Sequence, residues 1–327
     1  MSLSLSRARS VDCPAARRDE RAPRIAILCP APNAAMAYRW GDFHFAESLV
    51  AAFEKLGARA EICLADSWDA LAVRPLGDAP DVTLLLRGVL AAPRMGCAVR
   101  LMWMLSHPDR VSSEEMAGYD HVFIASTSHA EKLRPQLQDR VSPLLQCSDP
   151  QRFGVVPSQS AVKIPAHSLL FVGNSRRSER WVVLAAVDKG HTPAIYGAEW
   201  ENTPLEAYVW GETIPNRELG HWYAKAQIVL NDHWPDMARN GFISNRLFDV
   251  AMAGAFPISD RIQGAEVFCG NLVQVGTPDE LDQAIRHYRA DPAARQALAA
   301  GLQRSVVSQH TFDNRAAEIL QLLRTLL

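Results

Sequence analysis

Apolar residues follow two rhythms that alternate from residue 24 to the end of the chain. Short, mostly apolar runs occupy residues 24–29, 60–64, 82–86, 99–104 and 121–125, which predicts buried strands. Between them, residues 43–56 carry apolar positions at helical spacing and stop at Gly57, and a further helix is expected from about residue 128. Buried strands separated by helices make βαβ units, so a parallel sheet with helices on both faces follows.

Residues 146–167 break this rhythm and collect Pro150, Pro157, Pro165 and several serines, which reads as a linker. The pattern restarts with strands at 168–173, 193–196, 227–231, 255–259 and 272–275. Helices are predicted over 178–189, 216–224, 245–253, 278–288, 292–309 and 313–327. The expected architecture is α/β, with two Rossmann-like domains facing each other across a cleft. Residues 24–150 form the first domain, 151–167 the linker and 168–327 the second domain, whose last helix is a candidate to pack back on the first. Ligands of such sheets bind at the carboxyl ends of the strands.

Composition narrows the function classes. With 48% hydrophobic and 21% charged residues and a net charge of −2, the 327-residue chain has no global signal for nucleic acid or an anionic membrane. Its six cysteines are scattered without a CxxC pair or zinc spacing, which fits buried free thiols in a reducing, cytoplasmic compartment. No apolar run reaches about 18 residues, so no membrane-spanning helix is expected. Arg17-Arg18, the run at 25–29 and the AMA of Ala35–Ala37 imitate an export signal, but that apolar core is too short, and 25–29 reads as the first strand. Residues 1–23 then form a disordered tail, with more arginines than acids, and the tail is a candidate for peripheral association with the inner membrane surface.

The densest chemistry lies in residues 240–260, NGFISNRLFDVAMAGAFPISD. Arg246 and Asp249 sit one turn apart ahead of the small-residue stretch Ala251-Met252-Ala253-Gly254-Ala255. Small residues let a helix pack close to a sheet, and its N-terminus favours an anion. A guanidinium there can fork to phosphate oxygens, and a carboxylate can hold sugar hydroxyls. Asn245 could cap the helix or bond the same phosphate group. Arg176, Arg177 and Arg180 follow Gly173 at the mouth of a strand, a second approach for phosphate. In the first half, Arg39-Trp40-Gly41-Asp42-Phe43-His44 opens a helix at the cleft edge, and Asp42 and His44 are both candidate general bases. The competing structural roles are a helix cap for Asp42 and a packed ring for His44. Ser106-His107-Pro108-Asp109 and Arg87-Gly88 end two other strands at that edge. The stretch Asn231–Asp236 mixes ligand types without helical ligand spacing, so no metal site is expected. Neither a Walker loop nor a strand-linked GxGxxG is present.

LFVGNSRRSER, IVLNDHWPDMARNGFISNRLFDVAMAGAFPISD, the helix start at Pro278-Asp279-Glu280 and the closing HTFDNRA together resemble the C-terminal half of GT-B glycosyltransferases. The resemblance is to the CgeB-like branch of the group 1 superfamily and spans roughly residues 169–317. The motifs RWGDFHFAESL and LMWMLSHPDRVSSEEMAGYD resemble the acceptor domains of such enzymes. The resemblance implies a nucleoside-diphosphate sugar as donor substrate, bound by the second domain, with no metal and no further cofactor. A glycan or lipid-linked acceptor, in envelope glycan or polysaccharide synthesis, would occupy the first. Asp249 falls at the second Glu of the family's paired-glutamate motif, which bonds ribose, whereas the first Glu falls at Gly241. Arg180 falls at a phosphate-binding position and Asn216, in Ile214-Pro215-Asn216, where the base is cradled. His107 falls near a histidine that bonds the donor sugar in retaining enzymes. Because Gly241 has no side chain, a non-catalytic nucleotide-sugar or glycan-binding protein is the alternative reading.

Overall fold

The strand Arg24–Cys29 (β1) carries five consecutive fully buried residues because helices cover both faces of the sheet it centres. The computed structural model describes residues 22–75, 77–154, 164–175, 177 and 180–327. After β1 come α1 (Ala34–Ala37), α2 (Gly41–Lys55), β2 (Arg59–Leu64) and α3 (Trp68–Ala72). Then follow β3 (Val82–Arg87), β4 (Val99–Met104), α4 (Ser113–Ala117), β5 (His121–Ile124), α5 (Thr127–Leu137) and β6 (Val141–Pro143). The short α6 (Pro150–Phe153) leads out of this half.

The second half contains β7 (Leu170–Val172), α7 (Trp181–Asp188), β8 (Ala194–Tyr196), β9 (Val209–Gly211), α8 (Asn216–Lys225) and β10 (Val229–Asn231). It continues with α9 (Pro235–Asn240), α10 (Asn245–Met252), β11 (Pro257–Asp260) and β12 (Val273–Val275). The helices α11 (Pro278–Ala290), α12 (Pro292–Gln309) and α13 (Phe312–Leu326) close the chain.

Two six-stranded sheets result, ordered β2-β1-β3-β4-β5-β6 and β12-β11-β10-β7-β8-β9, with every pairing parallel. The strand order reverses between β1 and β3 in the first sheet and between β7 and β10 in the second. Loops leave such a pair in opposite directions, which opens a crevice at the strands' carboxyl ends. Both crevices matter below. Edge strands β6 and β9 are only three residues each, Val-Ser-Pro and Val-Trp-Gly, and show no periodicity that the sequence could have declared.

The chain crosses between the halves twice. Around Cys147–Asp149 it runs into α6, where Asp149 caps the helix by accepting from the Gln151 N–H and Pro150 occupies the first turn. Part of the expected linker is therefore helical, and its residues 155–163 lie outside the described residues. The return crossing pairs Thr311 with Ser148 as a parallel bridge. There α13 buries Phe312, Ala316, Ile319 and Leu323 in the core that also holds Phe45, Leu49 and Phe53 of α2. Phe45 and Phe312 meet edge to face at 4.6 Å, so the last helix completes the core of the first half. The expected tail falls almost wholly on residues 1–21, which lie outside the described residues.

Candidate active site in the cleft

A cavity of about 290 Å³ lies between the two sheets, at the lower edge of the size range of ligand pockets. Its second-sheet wall is the start of α10. The turn before that helix is fixed by a relay: the His233 ring sits with Nδ1 2.6 Å from Asp260 Oδ1 and accepts the Ser244 N–H at Nε2, 2.9 Å away. An accepting Nε2 requires the proton on Nδ1, so Asp260 sets the tautomer and the ring pins the helix entrance. His233 and Asp260 thus serve the backbone.

Arg246 emerges from the first turn of α10 and lines the cavity. Its Nη1 donates to Asn231 Oδ1 at 2.8 Å, at the end of β10, and its guanidinium lies 5.1 Å from the Phe171 ring centre. The Arg180 guanidinium lies 4.8 Å from the same ring. The two cations converge on Gly173, where a Cβ would stand 2.7 Å from Arg246 Nη2 and 2.8 Å from Arg180 Nη2. A methyl group there would have to displace both guanidinium ends. This convergence sits at the β7/β10 reversal point. Arg180 is buried and ion-paired to Asp232 at 2.7 Å, and desolvation, together with Arg246, lowers its pKa to about 10 although Asp232 opposes the shift. Its Nε and Nη2 have no hydrogen-bond partner among the described residues.

Asp249 lies one turn further on, buried, with Oδ1 accepting from Ser148 Oγ at 2.7 Å and Oδ2 from Asn245 Nδ2 at 2.9 Å. Burial nevertheless dominates those bonds and pushes the carboxyl up to about 7. Asn245 therefore neither caps α10 nor stands alone; its amide orients Asp249, and its Oδ1 is buried without a partner among the described residues. The Tyr223 side chain, also on the cavity wall, bonds Arg246, and burial raises its pKa.

The first-sheet wall is built by α2. Asp42 lines the cavity and has no hydrogen-bond partner among the described residues. Trp40 occupies the cap position without a side-chain bond, so the capping role open to Asp42 in the sequence is not taken. Desolvation raises its carboxyl to about 6, in the range where a carboxylate accepts protons effectively near neutrality. His44 is committed instead. Nε2 donates to the Tyr38 carbonyl at 2.9 Å, while Nδ1 sits 2.9 Å from Glu47 Oε2 and 3.2 Å from Arg152 Nη1. Neither ring nitrogen is left open, so of the two only Asp42 is unoccupied among the described residues.

Arg152, on α6, is the principal cavity residue that the sequence reading missed. It donates to Asn216 Oδ1 at the start of α8 and to Glu47 Oε2 on α2, both at 2.9 Å, and so joins the two walls. Its signal was the Asp149-Pro150 helix start inside an apparent linker. Asn216 lines the cavity and is held by this bond.

Other expected site residues lie elsewhere. His107 does not line the cavity. It caps a short turn with left-handed backbone (φ 54°, ψ 53°) and packs its ring edge to face against Trp234, 5.0 Å away, with Nδ1 3.7 Å from Asp236. It joins the halves on the far side of the cleft, beside the Asp109–Arg239 ion pair and the Ser126 hydroxyl bonded to the Asn240 carbonyl. Arg87 is spent on Glu115 and two carbonyls. Arg176 lies outside the described residues. Gly241 ends α9 with φ +70°, and a Cβ there would meet Ser128 Oγ at 2.8 Å and Ser126 Oγ at 3.1 Å. The position where the resemblance would place a glutamate is thus a helix terminus packed on the first half, with no room for a side chain.

Residues 176–321 match the family model described as glycosyl transferase-like. The spore protein CgeB of Bacillus subtilis (strain 168) is 27% identical over 168 residues, covering 46% of this chain and 52% of that one. The chain thus spans about half the length of the curated relative it matches. Sucrose-phosphate synthase from Thermosynechococcus elongatus superposes with a TM-score of 0.63 at 12% identity, over 93% of this chain and 99% of that one. Anabaena Alr3699/HepE, in complex with UDP and glucose, gives 0.61 at 11% identity over 93% and 100%. The fold is that of the GT-B glycosyltransferases.

Proposed function

We propose that the protein is a glycosyltransferase that moves a sugar from a nucleoside-diphosphate sugar to an acceptor hydroxyl. The observation that carries this reading is the placement of Arg246 and Asp249 on one wall of a single cavity with the unpartnered Asp42 on the other. In this reading residues 168–327 hold the donor and residues 24–150 the acceptor. Arg246, backed by Arg180, holds the diphosphate, and Asp249 holds ribose hydroxyls. As the bond from the anomeric carbon to the diphosphate breaks, the electron pair leaves with the phosphate, and the guanidinium meets the growing charge. The acceptor oxygen bonds the anomeric carbon and Asp42 takes its proton. The positive charge comes from arginine and the α10 N-terminus, so a chelator should leave turnover unchanged. HepE, a structural neighbour, was captured with UDP and glucose, which supports UDP-hexoses as the first donors to test. A growing envelope glycan or a lipid-linked saccharide is the acceptor class that fits.

The competing reading, a nucleotide-sugar or glycan-binding protein without turnover, is favoured by Gly241. Release of nucleoside diphosphate from a panel of nucleotide sugars, with and without saccharide acceptors, separates them. Acceptor-stimulated release supports transfer. Saturable binding with no release under any acceptor would sink the transfer reading and leave the binding one.

A further inference from the structure

Arg152 faces the first-sheet wall of the cavity from a helix rooted in the second half. Phe153, its neighbour on α6, is buried in the second half's core with Tyr223 and Phe248, and its ring stacks on Tyr223 at 6.4 Å. Tyr223 in turn bonds Arg246, so α6 is tied to the wall that carries Arg246 and Asp249. On that side Asn216 fixes the Arg152 guanidinium, its Oδ1 accepting from Nη1 at 2.9 Å.

Across the cleft, α2 presents its polar face. Its apolar face, with Phe45, Leu49 and Phe53, is anchored in the first half's core, so the helix is a rigid part of that half. What ties α2 to the second half beside the cavity is polar. Glu47 Oε2 accepts from Arg152 Nη2 at 2.9 Å, His44 Nδ1 lies 3.2 Å from Arg152 Nη1, and Ser48 Oγ donates to Asp149 Oδ2 at 2.6 Å. His44, Glu47 and Ser48 fall at i, i+3 and i+4, on one face of the helix. Asp42 precedes them in the first turn, which no side chain caps. The Arg152–Glu47 pair is partly exposed, and such a pair contributes little to stability. Its geometry matters more. A planar guanidinium that donates through one nitrogen to Asn216 and through another to Glu47 fixes the spacing of the two walls, which a single point charge would not.

We propose that Arg152 is a positioning residue for the transfer step: by bridging Asn216 and Glu47 it sets the placement of Asp42 against the opposite wall. The proposal rests on the transfer reading, with Asp42 as the proton acceptor. Arg152 acts through α2 and needs no contact with either substrate. As the acceptor oxygen bonds the anomeric carbon its proton passes to Asp42, and a misplacement of about 1 Å can cost about a hundredfold in rate. Loss of the guanidinium also leaves Glu47 and Asp149 without the cation they share, and two like charges there push α2 away from α6.

The test compares Arg152→Gln, Arg152→Lys, Glu47→Gln and Arg152→Gln/Glu47→Gln with the parent, each shown to be folded by circular dichroism. The readouts are kcat for acceptor-stimulated release of nucleoside diphosphate and donor affinity by thermal shift. Glu47 does not line the cavity, so a slower Glu47→Gln cannot owe its loss to a ligand contact. Arg152→Gln and Glu47→Gln should each lower kcat about tenfold to a hundredfold, with donor affinity held within about twofold. The double variant should be no slower than the slower single one, because both changes break one link. Arg152→Lys should recover part of the rate, since it keeps the charge and loses the fork. Unchanged kcat in either glutamine variant, donor affinity that falls with the rate, or losses that multiply in the double variant each overturn the proposal. A parent that releases no nucleoside diphosphate with any acceptor sinks the transfer reading, and the positioning role falls with it. A parent that turns over beside equally active variants sinks the positioning role alone.

Discussion

The two walls of the cleft are built on opposite plans. On the second-sheet wall both charged groups that line the cavity are braced, Arg246 on Asn231 and Phe171 and Asp249 on Ser148 and Asn245, while Arg180, outside the lining, pairs with Asp232. On the first-sheet wall His44 and Arg152 are occupied with each other and with Glu47, and Asp42 stands without a partner among the described residues. A braced wall costs little reorganisation when a ligand of fixed shape and charge arrives, which suits the diphosphate common to all donors. A single unbraced carboxyl on the other wall can meet hydroxyls of differing geometry. The contrast predicts that substitutions on the braced wall act on binding, whereas Asp42 acts on turnover.

Asp42→Asn is the strongest test of that division. Removing a general base should lower the rate about 10²–10⁴-fold with donor affinity unchanged. In the parent the rate should fall as the pH drops through about 6, where the raised Asp42 carboxyl takes up its proton, and the variant should lose that limb. If donor affinity collapses with the rate, Asp42 belongs to the donor site and the division is wrong. On the opposite wall, Arg246→Ala should remove a charge-assisted contact and weaken donor binding by about 10–100-fold. At a concentration of about 100 times the parent dissociation constant, donor stabilises by roughly 2.7 kcal/mol, and a hundredfold loss leaves roughly 0.4. Thermal shift reads the difference, and an undiminished shift would move the phosphate elsewhere.

Asp249 adds a signature in stability rather than in binding. Its pKa is raised from 3.8 to about 7, so the folded chain holds a proton that the unfolded chain has already released. Stability without donor should therefore fall as pH rises between those two values and level off above. Asp249→Asn should flatten that slope in urea titrations at several pH values; a slope unchanged in the variant assigns it to other groups. At Gly173 a methyl group would displace the ends of two arginines rather than backbone. Gly173→Ala should thus unfold at nearly the parent temperature yet bind donor about tenfold more weakly, close to 1.4 kcal/mol.

Legibility followed periodicity and motif length. Strands such as β1 and β4 and the long helices α2, α11 and α12 declare themselves because many residues repeat one rhythm. By contrast, β6, β9 and α6 have only three or four residues and carry too few positions to show any period. At the site, Arg246 and Asp249 were readable since spacing on one helix fixes their common face. The bracing was not, because it comes from far along the chain: Ser148 lies 101 residues from Asp249, and Asp232 lies 52 from Arg180. Motif position alone did not show that His107 packs on Trp234 outside the cavity lining.

His107 gives the smallest expected effect and separates a bridge from a substrate ligand. Its ring faces Trp234 and Asp236, and it lies outside the cavity lining. Left-handed backbone strains any residue with a Cβ, so the conformation persists through the surrounding packing, and truncation keeps the strain while removing the ring. His107→Ala should therefore cost about 1–2 kcal/mol of stability from the lost buried contact. His107→Gly should recover part of that by relieving the backbone. Both variants should keep donor affinity and turnover within about twofold, since a factor of two is less than half a kcal/mol. A histidine that touched the donor sugar would behave in the opposite way, with turnover falling in both variants and stability scarcely changed. Measuring kcat, KM and the unfolding midpoint on this pair decides whether the far side of the cleft serves to hold the two halves together or takes part in the chemistry.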